Sequence, residues 1–112
     1  MTVNEILVQA LDPLGLPLYP DVYLGEDAAY FVFTYSSVGD AFADDRPGVE
    51  RHLISLHYYG PLAGNPLRLI DDAKRALFQA GTTWPQTTHL SDENRRHIVL
   101  ECEIEMGVGL DG

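Results

Sequence analysis

Residues 97–106, His-Ile-Val-Leu-Glu-Cys-Glu-Ile-Glu-Met, alternate between two faces with a period of two. Ile98, Leu100, Cys102, Ile104 and Met106 fall on one face, and His97, Val99, Glu101, Glu103 and Glu105 on the other. That pattern predicts a strand with one buried face and one wet, anionic face. Residues 28–36, Ala-Ala-Tyr-Phe-Val-Phe-Thr-Tyr-Ser, are aromatic, β-branched and free of proline, and predict a second strand. Residues 52–59 predict a third. Residues 82–90 predict a weaker one, which Pro85 confines to a sheet edge. The period changes to that of a helix twice. Over 2–11, a Thr2–Glu5 capping box precedes the stripe Ile6, Leu7, Ala10 and Leu11, and Asp12-Pro13 stops the helix. Over 66–80, Asn65 is the N-cap, Pro66 takes the first helical position, and Leu67, Ile70, Ala73 and Leu77 make the core stripe. Asp71 and Arg75 stand at i, i+4, and Gly81 is the expected cap. Residues 14–24 read as an extended connector along the core, with the option of an edge strand.

These elements predict a single α+β domain over residues 1–112. Its expected form is an antiparallel sheet of about four strands, covered on one face by two helices, in the order α-β-β-α-β-β. The joint Ser37–Glu50 is far longer than a hairpin needs and carries Gly39, Pro47 and Gly48. It is expected to be a mobile loop at about 37–50. The tail at about 107–112 is expected to fray.

Charge narrows the function. Seventeen acidic residues face seven basic ones, for a net charge of −10, and Lys74 is the single lysine. Non-specific binding to nucleic acid or to an anionic membrane needs clustered Lys and Arg, so both are disfavoured. The one cysteine, Cys102, sits on the apolar face of its strand and reads as a small buried hydrophobe, with no disulfide. No signal-peptide pattern opens the chain and no apolar run approaches a membrane span, so a soluble protein without membrane contact is expected.

The expectation for chemistry is that no residue is catalytic and that the chain binds neither metal nor cofactor. There is no G-x-S-x-G turn, no Walker loop and no H-E-x-x-H. The Gly60-x-x-x-Gly64 run lacks the Lys-Ser/Thr that would hold phosphate and reads as a packed turn. His97, Glu101 and Glu103 share a strand face near His89, but a solvated polar face explains them. The aromatics Tyr30, Phe31, Phe33, Tyr35, Tyr58 and Tyr59 could make a base-stacking platform. Such platforms are interleaved with basic residues, so core packing and a subunit interface are the better reading. Two acidic features remain. One is the 37–50 segment, with Asp40, Phe42, Asp44, Asp45, Arg46 and Glu50 as a candidate assembly contact and Phe42 as its anchor. The other is the ladder Glu101, Glu103 and Glu105, whose carboxylates stand about 6–7 Å apart along the strand.

The layout resembles the small tail-completion and tail-terminator proteins of long-tailed phages and prophages. The resemblance rests on the short N-terminal helix, the Tyr30-Phe-Val-Phe-Thr-Tyr35 strand and the long Gly/Asp-rich joint. It continues in the Leu53-Ile-Ser-Leu-His-Tyr58 strand, the helix ending Ala76-Leu-Phe-Gln-Ala-Gly81, and a closing strand after a polar turn. Pro85 and the glutamate ladder depart from it. The resemblance implies a structural protein of the virion, assembled in the host cytoplasm. It would form a homo-oligomeric ring, often a hexamer, against the tail tube and the head-connector proteins at the head–tail junction. Double-stranded DNA would pass through without specific binding, and Glu101, Glu103 and Glu105 are then candidate lumen-facing residues. The rival reading from composition is a stand-alone acidic protein that mimics DNA to inhibit a nuclease or repressor.

Overall fold

The computed structural model describes residues 2–23, 25–43 and 46–107, with the backbone alone over 38–43, 46–49 and 107. Helix α1, Val3–Leu11, begins with the expected capping box: Thr2 accepts from the Glu5 amide and Glu5 reaches back to Thr2. The chain does not stop at Asp12-Pro13. A 3-10 turn, Asp12–Leu14, carries it one step further, and Gly15 ends it at φ 77°. Strands β1 (Leu18–Pro20), β2 (Tyr30–Ala43) and β3 (Arg46–Gly60) follow. Then come helix α2 (Leu67–Gln79) and strands β4 (Gln86–His89) and β5 (Arg96–Gly107).

The architecture is α+β, but the sheet has five strands, in the order β1-β2-β3-β5-β4. The extra strand is the Leu18–Pro20 connector. It pairs parallel with β2, so the sheet is mixed rather than antiparallel, and the element order becomes α-β-β-β-α-β-β. Three residues ending in a proline give almost no periodic signal, which is why this strand reads as a connector. The other pairings are antiparallel.

Both helices cover one face of the sheet. Val3, Leu7 and Leu11 of α1 and Ile70, Ala73 and Leu77 of α2 form one buried cluster with strand residues. These are Phe31 and Phe33 of β2, Ile54, Leu56 and Tyr58 of β3, and the β5 set Ile98, Leu100, Cys102 and Ile104. Cys102 is buried, as its alternation predicts. In α2, Asn65 Oδ1 accepts from the Leu67 amide at 3.0 Å, but the helix starts at Leu67 with Pro66 as its N-cap and no side-chain cap bond, so Asn65 stands one residue before the cap expected of it. The ion pairs run at i, i+3: Arg75 to Asp72 at 3.3 Å and Lys74 to Asp71 at 3.8 Å. The Gly60–Gly64 run is a turn, but an exposed one rather than a packed one, held by Arg96, whose guanidinium donates to the carbonyls of Leu62 and Gly64.

The largest correction concerns residues 37–50. The described ones, 37–43 and 46–50, lie in strands rather than in an open loop. Strands β2 and β3 pair through this segment, from Ser37 opposite His52 out to Ala43 opposite Arg46. Gly39, Pro47 and Gly48 suggested a loop because each weakens a strand. The described pairing of β5 with β3 runs as far as Val49 opposite Gly107.

Candidate assembly surface

Strands of 14 and 15 residues are long for a domain of this size, where five or six are usual. The core uses only part of them. On β2 it ends at Phe33, and Tyr35, the next residue on that face, is already 42 % exposed. The remaining stretch to Ala43 spans about 27 Å at strand rise. The molecule measures 54 × 23 × 22 Å, and its radius of gyration is 15.3 Å, against about 13 Å for a compact chain of this length. The β2–β3 ribbon is therefore an arm.

Along the arm the backbone sets Asp40 opposite Val49, Phe42 opposite Pro47 and Arg46 opposite Ala43. Asp44 and Asp45 lie outside the described residues. Glu50, at the root of the arm, is half-buried opposite Met106, 3.9 Å from His52 Nε2. His52 Nδ1 in turn meets the Ser37 hydroxyl at 2.7 Å, and Tyr35 packs edge-on against the His52 ring. The arm root is thus pinned by side chains as well as by backbone pairing.

The sheet face opposite the helices carries the predicted glutamate ladder. Glu101, Glu103 and Glu105 stand opposite Ser55, Leu53 and Arg51 of β3. Arg51 Nε lies 3.9 Å from Glu103, so one rung has a countercharge. Beside the ladder is a groove of about 480 Å³ lined by Leu53, Ser55, Trp84, Gln86, Glu101 and Glu103. Trp84 forms its wall, packs edge-on against Phe78, and is 53 % exposed. β4 and β1 are the two edges of the sheet, and Trp84 stands just before β4.

The same face holds a constellation that sequence reasoning missed. Tyr23 stacks on Tyr30 at 3.6 Å between ring centroids, Tyr30 on Tyr59 at 5.3 Å, and Tyr59 on His97 at 4.3 Å. His57 lies beside both Tyr59 and His97, with its Nδ1 2.8 Å from His97 Nε2. The Arg95 guanidinium sits 4.4 Å over the Tyr59 ring. Tyr19 and Tyr23 are tied by their hydroxyls to Asp27. Burial pushes both imidazoles below their ordinary pKa. Glu101 opposes the shift at His57, while His57 and Arg95 reinforce it at His97. Burial likewise pushes the Cys102 thiol up on the other side of the sheet.

This geometry separates the aromatics that sequence reading grouped together. Phe31, Phe33 and Tyr58 are core, whereas Tyr30 and Tyr59 are on the helix-free face with their ring faces spent on one another. A base-stacking platform needs free ring faces. His89 pairs with Ile98 and so points to the opposite side from His97. Among the described residues, no group of three or more His, Cys, Asp or Glu could hold a metal ion. No helix among them is long and apolar enough to cross a membrane. The parity of residues 57, 59 and 97 was legible. Their meeting depends on the β3–β5 register, which joins positions 40 residues apart and leaves no local signal.

No family model matches the chain, and no curated protein matches it. Eleven solved chains match it in structure, and one of them aligns over 92 % of this chain and 94 % of its own, with a TM-score of 0.56 at 8 % identity. That protein's name states no activity. A likeness at this identity shows a shared fold from end to end.

Proposed function

We propose that the chain is a structural subunit of a phage or prophage tail, closing with further copies into a ring, a hexamer in the reading the resemblance implies. The ring terminates or completes the tail at the head–tail junction, against the tail tube and the head connector, and DNA passes through it. The subunit acts by position, without catalysis, metal or cofactor.

The observation that carries this reading is the β2–β3 arm. A two-stranded ribbon is marginal in water unless something packs on it. Among the described residues, pairing with β5 reaches Val49 and core packing on β2 reaches Phe33. A ring supplies the missing surface from the next subunit, and head-to-tail contacts close without leaving a free one. The arm then reaches across its neighbour with Phe42 as anchor and Asp40, Asp44, Asp45, Arg46 and Glu50 as its polar contacts. The groove beside Trp84 and the sheet edges are the complementary surface on the body. The charge fits DNA passage: a lumen bearing Glu101, Glu103 and Glu105 repels phosphates, whereas one bearing lysines would hold them.

The test is native mass spectrometry at high protein concentration, together with electron microscopy of assembled tails incubated with the protein. Closed oligomers of one subunit number, or density added at one end of the tail, are the expected result. A strict monomer that also ignores tails overturns the proposal. A monomer or dimer that instead binds a basic protein tightly and salt-sensitively points to DNA mimicry.

A further inference from the structure

We propose that the His57–His97 pair is a proton switch on the helix-free face: with a proton added to neither ring or to one, His57 bonds to His97; with both rings protonated, His57 turns to the carboxylate of Glu101. The inference stands on this face alone and is independent of the tail reading.

The register builds both positions. His57 lies opposite Val99, and the residues two before and two after Val99 are His97 and Glu101. All three project from the same face, so His57 has one diagonal neighbour on each side, within reach of an imidazole. It now occupies the His97 position, Nδ1 to Nε2 at 2.8 Å. A bond between two ring nitrogens needs one N–H and one lone pair. Two imidazolium rings would aim two N–H groups at each other, so that bond cannot survive a proton on each ring.

The surrounding charges decide where the proton settles. Facing the pair from β5 and its preceding turn are Glu101, Arg95 and Asp92, from β3 Tyr59, and from β2 Tyr30. Tyr19 of β1 and Tyr23 stand behind Tyr30 with Asp27, and the facing positions of β4, Gln86 and Thr88, are uncharged. Arg95 lies near His97 and disfavours charge there, whereas Glu101 favours charge on His57. The first proton is therefore seated on His57, whose Nδ1–H still donates to His97 Nε2; the second, on His97, breaks that bond and leaves Glu101 as the partner of His57. Turning to it withdraws one ring from the Tyr59–His97 stack and neutralises the first carboxylate of the Glu101–Glu103–Glu105 ladder. Between roughly pH 7 and pH 5, where imidazoles titrate, the negative potential of this face becomes adjustable.

Side-chain ¹⁵N and carboxyl ¹³C NMR of the full chain, titrated from pH 8 to pH 4.5, tests this. His57 should take its proton at a lower pH than the same residue in the urea-unfolded chain. The Glu101 carboxyl resonance should move with the His97 midpoint, and the Tyr59 ring signals should shift in step. Glu101→Gln should lower the His57 midpoint by about half a unit or more. His97→Gln should uncouple the Tyr59 shift from pH. A Glu101 carboxyl that stays silent through the titration of both rings, or an unchanged His57 midpoint in Glu101→Gln, overturns the switch. The wild-type carboxyl readout decides the matter even where a variant does not fold.

Discussion

Cys102 and Glu103 are neighbours in the chain and sit in opposite surroundings: the thiol is buried and the carboxylate looks into the groove. Strand parity made that legible, and for every β5 residue from Ile98 to Ile104 the face read from sequence is the face found. Two consequences can be measured. Leu56 is fully buried between both helices and its strand neighbours, so Leu56→Ala should cost about 2–5 kcal/mol in urea unfolding. A cost below 1 kcal/mol would mean that this part of the core is loose. The second consequence concerns pH. Burial lowers the pKa of His57 and His97 in the fold, so the unfolded chain binds more protons as the pH falls past its ordinary histidine value of about 6.5. Their contribution to stability is fully present above that value and is lost as the pH drops through it towards the folded pKa. The urea midpoint should therefore fall between pH 7 and pH 5, and fall less in the double variant His57→Gln, His97→Gln. Equal slopes in the two proteins would assign the pH dependence to other groups. What sequence could not supply at this scale is the partner of each histidine, because that depends on which strands become neighbours.

At the scale of elements, the legible parts are those whose own residues decide their structure. The capping box at Thr2 and Glu5 is local and is found, and the start of α2 falls within one residue of its expected place at Asn65 and Pro66. Removing the box, Thr2→Ala, should cost about 0.5–2 kcal/mol, read as a lower urea midpoint with unchanged slope. Gly15, which ends the 3-10 turn at φ 77°, should also resist substitution: Gly15→Ala meets open space but a strained backbone, and should destabilise by about 1 kcal/mol. No loss in that variant would show the turn relaxing to another conformation. The elements misread are those decided elsewhere. β1 has too few residues to show a period and exists because β2 offers it a parallel edge. The arm contains three residues that break strands, yet each strand of the ribbon gives the other the partner it needs.

At the scale of the whole molecule, the described core and the arm are separate in sequence, which allows one to be removed without the other. The described core residues of the two long strands are Phe31 and Phe33 on β2 and Ile54, Leu56 and Tyr58 on β3. The pairing of β2 with β3 keeps one register from Tyr30 opposite Tyr59 to Ala43 opposite Arg46. Replacing residues 40–49 by Asn-Gly leaves Gly39 opposite Glu50 and closes the ribbon with a two-residue turn suited to the strand twist. The side-chain alternation of both strands is unchanged, and β5 still pairs with β3 as far as Met106 opposite Glu50. The shortened protein should therefore fold, with a thermal midpoint within a few degrees of the parent. Its assembly should fail, because the surface that reached the neighbour is gone. Phe42→Ala is the milder form of the same experiment and should weaken assembly while leaving the midpoint in place. If the shortened chain folds and still closes into rings or seats on tails, the arm is no assembly contact and the proposed function loses its main support. If instead Phe42→Ala alone lowers the midpoint sharply, the arm belongs to the fold of the single subunit, and the surface that joins subunits must be sought on the helix-free face around Trp84 and the glutamate ladder.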